Sequence, residues 1–105
     1  MKLSEVYTRL ETLNKPLAYL AFKSAQSPPY IVYYENGANF HGSDEKNYIK
    51  DMTVVIELYS ESKDMALEKQ IESLFSDVEL SKIESWIEDE NLLMIAYEFT
   101  TINKE

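Results

Sequence analysis

Residues 52–59, Met-Thr-Val-Val-Ile-Glu-Leu-Tyr, constrain this chain more than any other stretch. Met52, Val54, Ile56 and Leu58 form an apolar face at period two, and Thr53, Val55, Glu57 and Tyr59 form a mixed one. Branched and aromatic side chains suit a pleated, half-buried surface. The run reads as a central strand covered on one side by helices. It leads straight into a helix over about 63–76. Ser62 is the expected cap, with Asp64 in the first turn. Leu67, Ile71, Leu74 and Phe75 make the apolar stripe, and Glu68, Lys69, Gln70 and Glu72 lie outside it. Ile56 is expected to pack against Leu67, Ile71 and Leu74.

The other elements are placed around that pair. Leu3, Val6, Tyr7, Leu10 and Leu13 recur at helical spacing, with Arg9, Glu11 and Thr12 turned away. With Ser4 as cap and Asn14-Pro16 as stop, the first helix spans about 4–13. Leu17–Phe22, bracketed by prolines, reads as a short buried strand. Tyr30–Tyr34 is a clearer one, with Pro29 tolerated at its start. Asn36-Gly37 signals a turn. Residues 36–51 then read as a long polar loop carrying Phe40, His41 and Tyr48, with room for a strand pair turning at Gly42-Ser43-Asp44. Leu80–Ile87 and Leu92–Thr101 form a hairpin across Glu88–Asn91. Leu93, Ile95, Tyr97 and Phe99 share one face of its second strand, and the tail 103–105 is expected to fray. The fold class is α+β: a mostly antiparallel sheet of four to five strands with two helices packed on it, in a single domain over 1–105.

Size and charge bound the function. A chain of 105 residues buries roughly two-thirds of its unfolded surface, enough for one core. No apolar run approaches the ~18 residues of a membrane span. Glu5, Arg9 and Glu11 interrupt any signal-like start, so a cytoplasmic, soluble protein is expected. There is no cysteine, hence no disulfide, thiolate nucleophile or zinc-thiolate site. The net charge is −9; residues 1–30 carry +2, leaving −11 for the remainder. An acidic body argues against nucleic acid, whose phosphates call for Lys and Arg. The charge asymmetry suits head-to-tail contact between copies.

Catalytic, cofactor and metal motifs are not found. His41 is the lone histidine and has no triad partner in sequence. Asp44-Glu45 lacks calcium-loop spacing. Glu84, Glu88, Asp89 and Glu90 read as an acidic hairpin tip that discourages edge pairing. With Gly37 and Gly42 alone, no loop can cradle phosphate. An enzyme would need a deep pocket lined by Glu84, Tyr97 and His41. The aromatics Tyr30, Tyr33, Tyr34, Phe40, Tyr48 and Tyr59 are more informative. Most belong to core or cross-strand packing, while large amphipathic rings also favour protein interfaces. Trp86 is open to either role.

The order of elements, with Tyr30–Tyr34, Asn39-Phe40, Asp44–Tyr48, Val55–Tyr59, Lys63-Asp64, Leu67-Glu68, Glu84–Glu88 and Tyr97–Phe99, resembles small virion proteins of long-tailed phages or prophages of Gram-positive bacteria, of the tail-completion or tail-terminator kind. The resemblance spans about 1–102 and rests on patterning. It implies an α+β fold, no catalytic residues, and a ring at the head-proximal end of the tail tube. Its implied partners are other copies, the tail tube protein and the head connector, and it is compatible with a monomer in isolation. The implied location is the host cytoplasm during assembly, then the virion tail. A ring needs one surface of a subunit to meet a different surface of the next. Phe40, His41, Asp44 and Tyr48 are the candidate interface. The rival reading is a small acidic adaptor or inhibitor of one host protein.

Overall fold

The computed structural model describes residues 1–42 and 48–104. In chain order the elements are α1 (Leu3–Glu11), β1 (Leu17–Tyr19), β2 (Tyr30–Gly42), β3 (Tyr48–Ser60), α2 (Met65–Leu74), β4 (Ser81–Ile87) and β5 (Leu92–Lys104). The five strands form one sheet in the order β1-β2-β3-β5-β4. β1 runs parallel to β2, and every other neighbouring pair is antiparallel. This is the expected α+β architecture.

β3 is the axis, paired with β2 on one side and β5 on the other. Its alternation holds: Met52, Val54, Ile56 and Leu58 are all buried. They share one core with Val6 and Leu10 of α1, Ile31 and Tyr33 of β2, Leu67 and Ile71 of α2, and Ile95, Tyr97 and Phe99 of β5. Leu74 packs against its margin. Both helices therefore cover the same face of the sheet. The uncovered face carries Tyr34, Glu57 and Tyr59. The Tyr34 and Tyr59 hydroxyls donate to the two oxygens of Glu57 at 2.9 and 2.8 Å. Tyr59 stacks on Tyr30 at 5.0 Å between centroids. Burial, reinforced by Glu57, pushes the Tyr34 phenol up to about 12.

Several local expectations are corrected. Ser4 lies inside α1 and not at its cap, which is Lys2 and makes no side-chain cap bond. The Met1 amine instead donates to Thr101 Oγ1 and Asn103 Oδ1 at 2.7 and 2.9 Å. Asn103 returns a bond to Met1 O at 2.8 Å, so Asn103 is tied rather than frayed. In α2 the cap is Asp64, not Ser62; its carboxylate accepts from Leu67 N at 3.0 Å, satisfying an orphan amide of the first turn. Asn36-Gly37 is a bulge and not a turn. The register passes from Glu35↔Val54 to Ala38↔Met52, so two residues of β2 face Thr53 alone. Gly37 supplies the positive φ of 106° that the bulge uses. The expected loop over 36–51 is thus, in its described residues, a continuation of β2 and β3.

Two charged clamps hold the helices down. Arg9 donates to Leu74 O at 2.8 Å and forms a two-pronged pair with Asp77 at 2.7 and 2.9 Å, while reaching Glu5 at 2.7 Å. Its guanidinium sits 5.5 Å from the centre of the Phe75 ring. A residue read as facing away from the core therefore ties α1 to the end of α2. Glu68, also read as outward, is 2% exposed. Lys82 and Lys63 meet its Oε1 at 2.6 and 2.9 Å. Lys82 also pairs with Glu72 at 2.9 Å, and Tyr97 donates to Glu72 at 2.7 Å. Burial pushes the Glu68 carboxyl up, but the bonds from Lys82 and Lys63 outweigh it and hold it below the usual range. The Tyr97 and Lys82 bonds do the same for Glu72.

Two outcomes are expected. Ile56→Ala or Ile71→Ala loses about 2–5 kcal/mol in urea melts through lost burial plus a cavity. The depressed carboxyls add stability that is fully present above the usual carboxylate range. That contribution is lost as pH falls through the range to their lower folded values. Thermal melts across a pH series should fall in acid, and Glu68→Gln should be less stable at neutral pH with a shallower acid drop.

Candidate functional site

At about 3.3 Å per residue, thirteen-residue strands reach roughly 43 Å, farther than the helices cover. α1 and α2 pack over β3 from Met52 to Leu58. Past Met52, β2, β3 and β5 continue together as a three-stranded ribbon. Its rows are Asn39–Asp51–Ile102, Phe40–Lys50–Asn103 and His41–Ile49–Lys104.

The ribbon collects three large apolar side chains that cover no core: Phe40 is 64% exposed, Ile49 42% and Ile102 68%. By the two-residue alternation, Ile49 and Ile102 lie on the uncovered face and Phe40 on the helix-bearing face. Lys50 Nζ stands 5.7 Å from the Phe40 ring centre and pairs with Glu35 at 2.8 Å. His41 Nε2 lies 2.8 Å from Asp51 Oδ2 at an exposed site. Lys50 and Asp51 thus hold the two residues against β3, which fixes their positions relative to the sheet.

Of the sequence-selected residues, Phe40 and His41 both lie on the ribbon, on its opposite faces. Tyr48 opens β3 with its backbone opposite Gly42. Asp44, and the turn expected at Gly42-Ser43-Asp44, lie outside the described residues. Ile49 was missed because it fell in the expected loop over 36–51, and Ile102 because the second strand of the hairpin was expected to stop at Thr101. Carrying the β5 alternation one residue further would have found Ile102. The trio Glu84, Tyr97 and His41 is not brought together. Tyr97 is in the core and Glu84 is bonded to Lys63. His41 lies seven rows along β3 from Tyr97, about 23 Å at the strand rise. Glu88, Asp89 and Glu90 form an exposed tip on the β4–β5 turn, as expected. Trp86, also exposed, is opposite Leu93. A cleft of about 430 Å³ lies near this end, lined in part by Phe22, Tyr30, Tyr59 and Glu90; Phe40, His41, Glu84 and Tyr97 do not line it. Among the described residues, no group of three His, Asp or Glu is placed to hold a metal ion.

No family model matches this sequence. No curated protein matches it either. Among solved structures, the fold is similar to a chain of the virion of a native gene transfer agent particle, with a TM-score of 0.64. The match covers 95% of this chain and 92% of that one, at 13% identity. At that identity the likeness is one of fold.

Phe40→Ala should leave the melting of the isolated protein within about 0.5 kcal/mol of wild type in urea titrations, the range of a surface change. A ring tucked under the ribbon would instead lose about 3–5 kcal/mol.

Proposed function

We propose that this chain is a structural virion protein with no enzymatic role. It acts as a single domain of the tail-completion or tail-terminator kind, closing the head-proximal end of a tail tube and joining it to the head. The observation that carries the reading is the shared fold, running nearly end to end with a chain of a virion. The ribbon supports it physically. A sheet that projects past its core, with Ile49 and Ile102 in the open on one face and Phe40 on the other, offers contact surface to partners. The net charge of −9 directs that surface toward protein partners rather than nucleic acid. Copies of itself, a tube protein and a connector are the partners in this reading, with assembly in the host cytoplasm before incorporation in the tail.

The test is direct. Particles from the producing strain are purified on a density gradient and probed with an antibody to this chain by immunogold microscopy. Label is expected at the junction of head and tail, and strains lacking the gene should accumulate separate heads and tails. Particles that are complete and unlabelled would reject the reading.

A further inference from the structure

The ribbon has two open edges. β1 covers β2 only along Ile31–Tyr33, and the Tyr19 hydroxyl then accepts from Glu35 N at 3.1 Å. Beyond Glu35, among the described residues, no strand pairs with the outer edge of β2. On the other side β4 stops at Ser81↔Glu98, so among the described residues no strand pairs with the outer edge of β5 from Phe99 to Lys104. Met1 reaches Thr101 and Asn103 through their side chains and does not occupy that edge.

Alternation shows which groups point outward. Ile31 N donates to Pro16 O, Tyr33 O accepts from Leu20 N, and Glu35 N donates to the Tyr19 hydroxyl. Odd residues of β2 therefore face out before the bulge. The bulge adds one residue, so Ala38 and Phe40 face out after it. Carried across β3, the same alternation turns Thr100 and Ile102 outward on β5. Neither segment contains a proline. An open, regular edge is a template for another strand.

We infer that the outer edge of β2 around residues 38–42 in one copy pairs with the outer edge of β5 around residues 99–104 in the next. Successive ribbons then join into one sheet. The occupant is a second copy because the two edges flank the same three strands and have similar length. β2 and β5 are both antiparallel to β3, so they run in the same direction. Rotation about an axis along the strands brings one edge to the other without reversing it, and the new pair is parallel. That is a heterologous contact, which closes into a ring when the rotation divides a full turn. Closure would leave neither edge open and would set the exposed Ile102 beside the next ribbon. The choice of occupant rests on the self-assembling virion reading above.

The chain has no cysteine, which allows a clean test. Asn39 and Ile102 are exposed and lie on the same face, but in one ribbon they are two strands apart, about 10 Å, beyond the roughly 7 Å limit for a disulfide. Asn39→Cys is combined in turn with Thr100→Cys, Ile102→Cys and Lys104→Cys. Each protein is oxidised at its highest soluble concentration and run on a non-reducing gel. At least one pair is expected to give a ladder extending beyond dimers, while Asn39→Cys alone stops at dimers. Phe40→Pro removes an outward amide that the ribbon does not use. It is expected to abolish multimers in sedimentation velocity with an unchanged far-UV circular dichroism spectrum. Absence of ladders for every pair, a folded Phe40→Pro protein that still assembles, or a wild type that stays monomeric throughout would each overturn the pairing. Ladders from a protein absent from particles would reject the virion reading and leave the pairing intact. Label on particles without ladders would reject the pairing alone.

Discussion

Backbone pairing on both flanks of β3 is the constraint from which the other features follow. A strand that bonds to neighbours along its full length fixes the register of β2 and β5, and with it the side of the sheet each side chain takes. A slip of one residue would carry Met52, Val54, Ile56 and Leu58 to the face without helices. The helices have no second sheet surface to choose, since the other face holds Glu57 between two tyrosine hydroxyls. Placing α1 and α2 together on one face also explains why each needs a charged tie. Their direct contact is slight. Arg9 joins α1 to the Leu74 carbonyl at the end of α2, and Lys82 on β4 joins the edge of the sheet to Glu68 and Glu72.

The buried Glu68 makes α2 more than an apolar stripe. A carboxylate with this little exposure is costly unless paired, and it is met by two lysines that also reach Glu72 and Glu84. Lys63 comes from the segment before α2 and Lys82 from β4, so Glu68 Oε1 has both of its partners only when helix, approach segment and edge strand are all in place. Lost pairing at Glu68 would leave a buried charge, which strongly disfavours partial docking of the helix.

The sequence made the core easy to read and its edges hard. Period-two runs at 52–59 and 92–99 and a helical stripe at Leu67, Ile71 and Leu74 each report one-sided burial; their inward residues fill the core, with Leu74 at its margin. The signal fails where burial stops. Glu35 to His41 has no apolar alternation because the ribbon has solvent on both faces, so nothing in its composition separates strand from loop. Asn36-Gly37 adds to the ambiguity, since the positive φ that a hairpin turn requires is also what a bulge requires. Glu68 escaped for a different reason. Its partners lie five and fourteen residues along the chain, and helical periodicity carries no information about a lysine on a later strand. Phe40 and His41 were legible as unusual residues in a polar stretch, but their placement opposite Lys50 and Ile49 depends on a register that the bulge sets.

The ribbon is the part of the fold that the monomer does least to stabilise. Its strands bury little, its apolar side chains point into solvent, and a regular edge left unpaired is a liability for any soluble protein. Proteins that keep such edges exposed usually break them with proline, charge or a bulge. Here the one bulge lies at the base of the extension, where it re-aims β2, and not along the edge that stays open. The acidic tip at Glu88–Glu90 shows that the chain does place like charges on a projecting hairpin, at the opposite end of the sheet. Apart from Lys104 at the very end, the outer edges at 38–42 and 99–104 carry no Asp, Glu, Lys or Arg, which fits a segment whose pairing partner arrives with assembly.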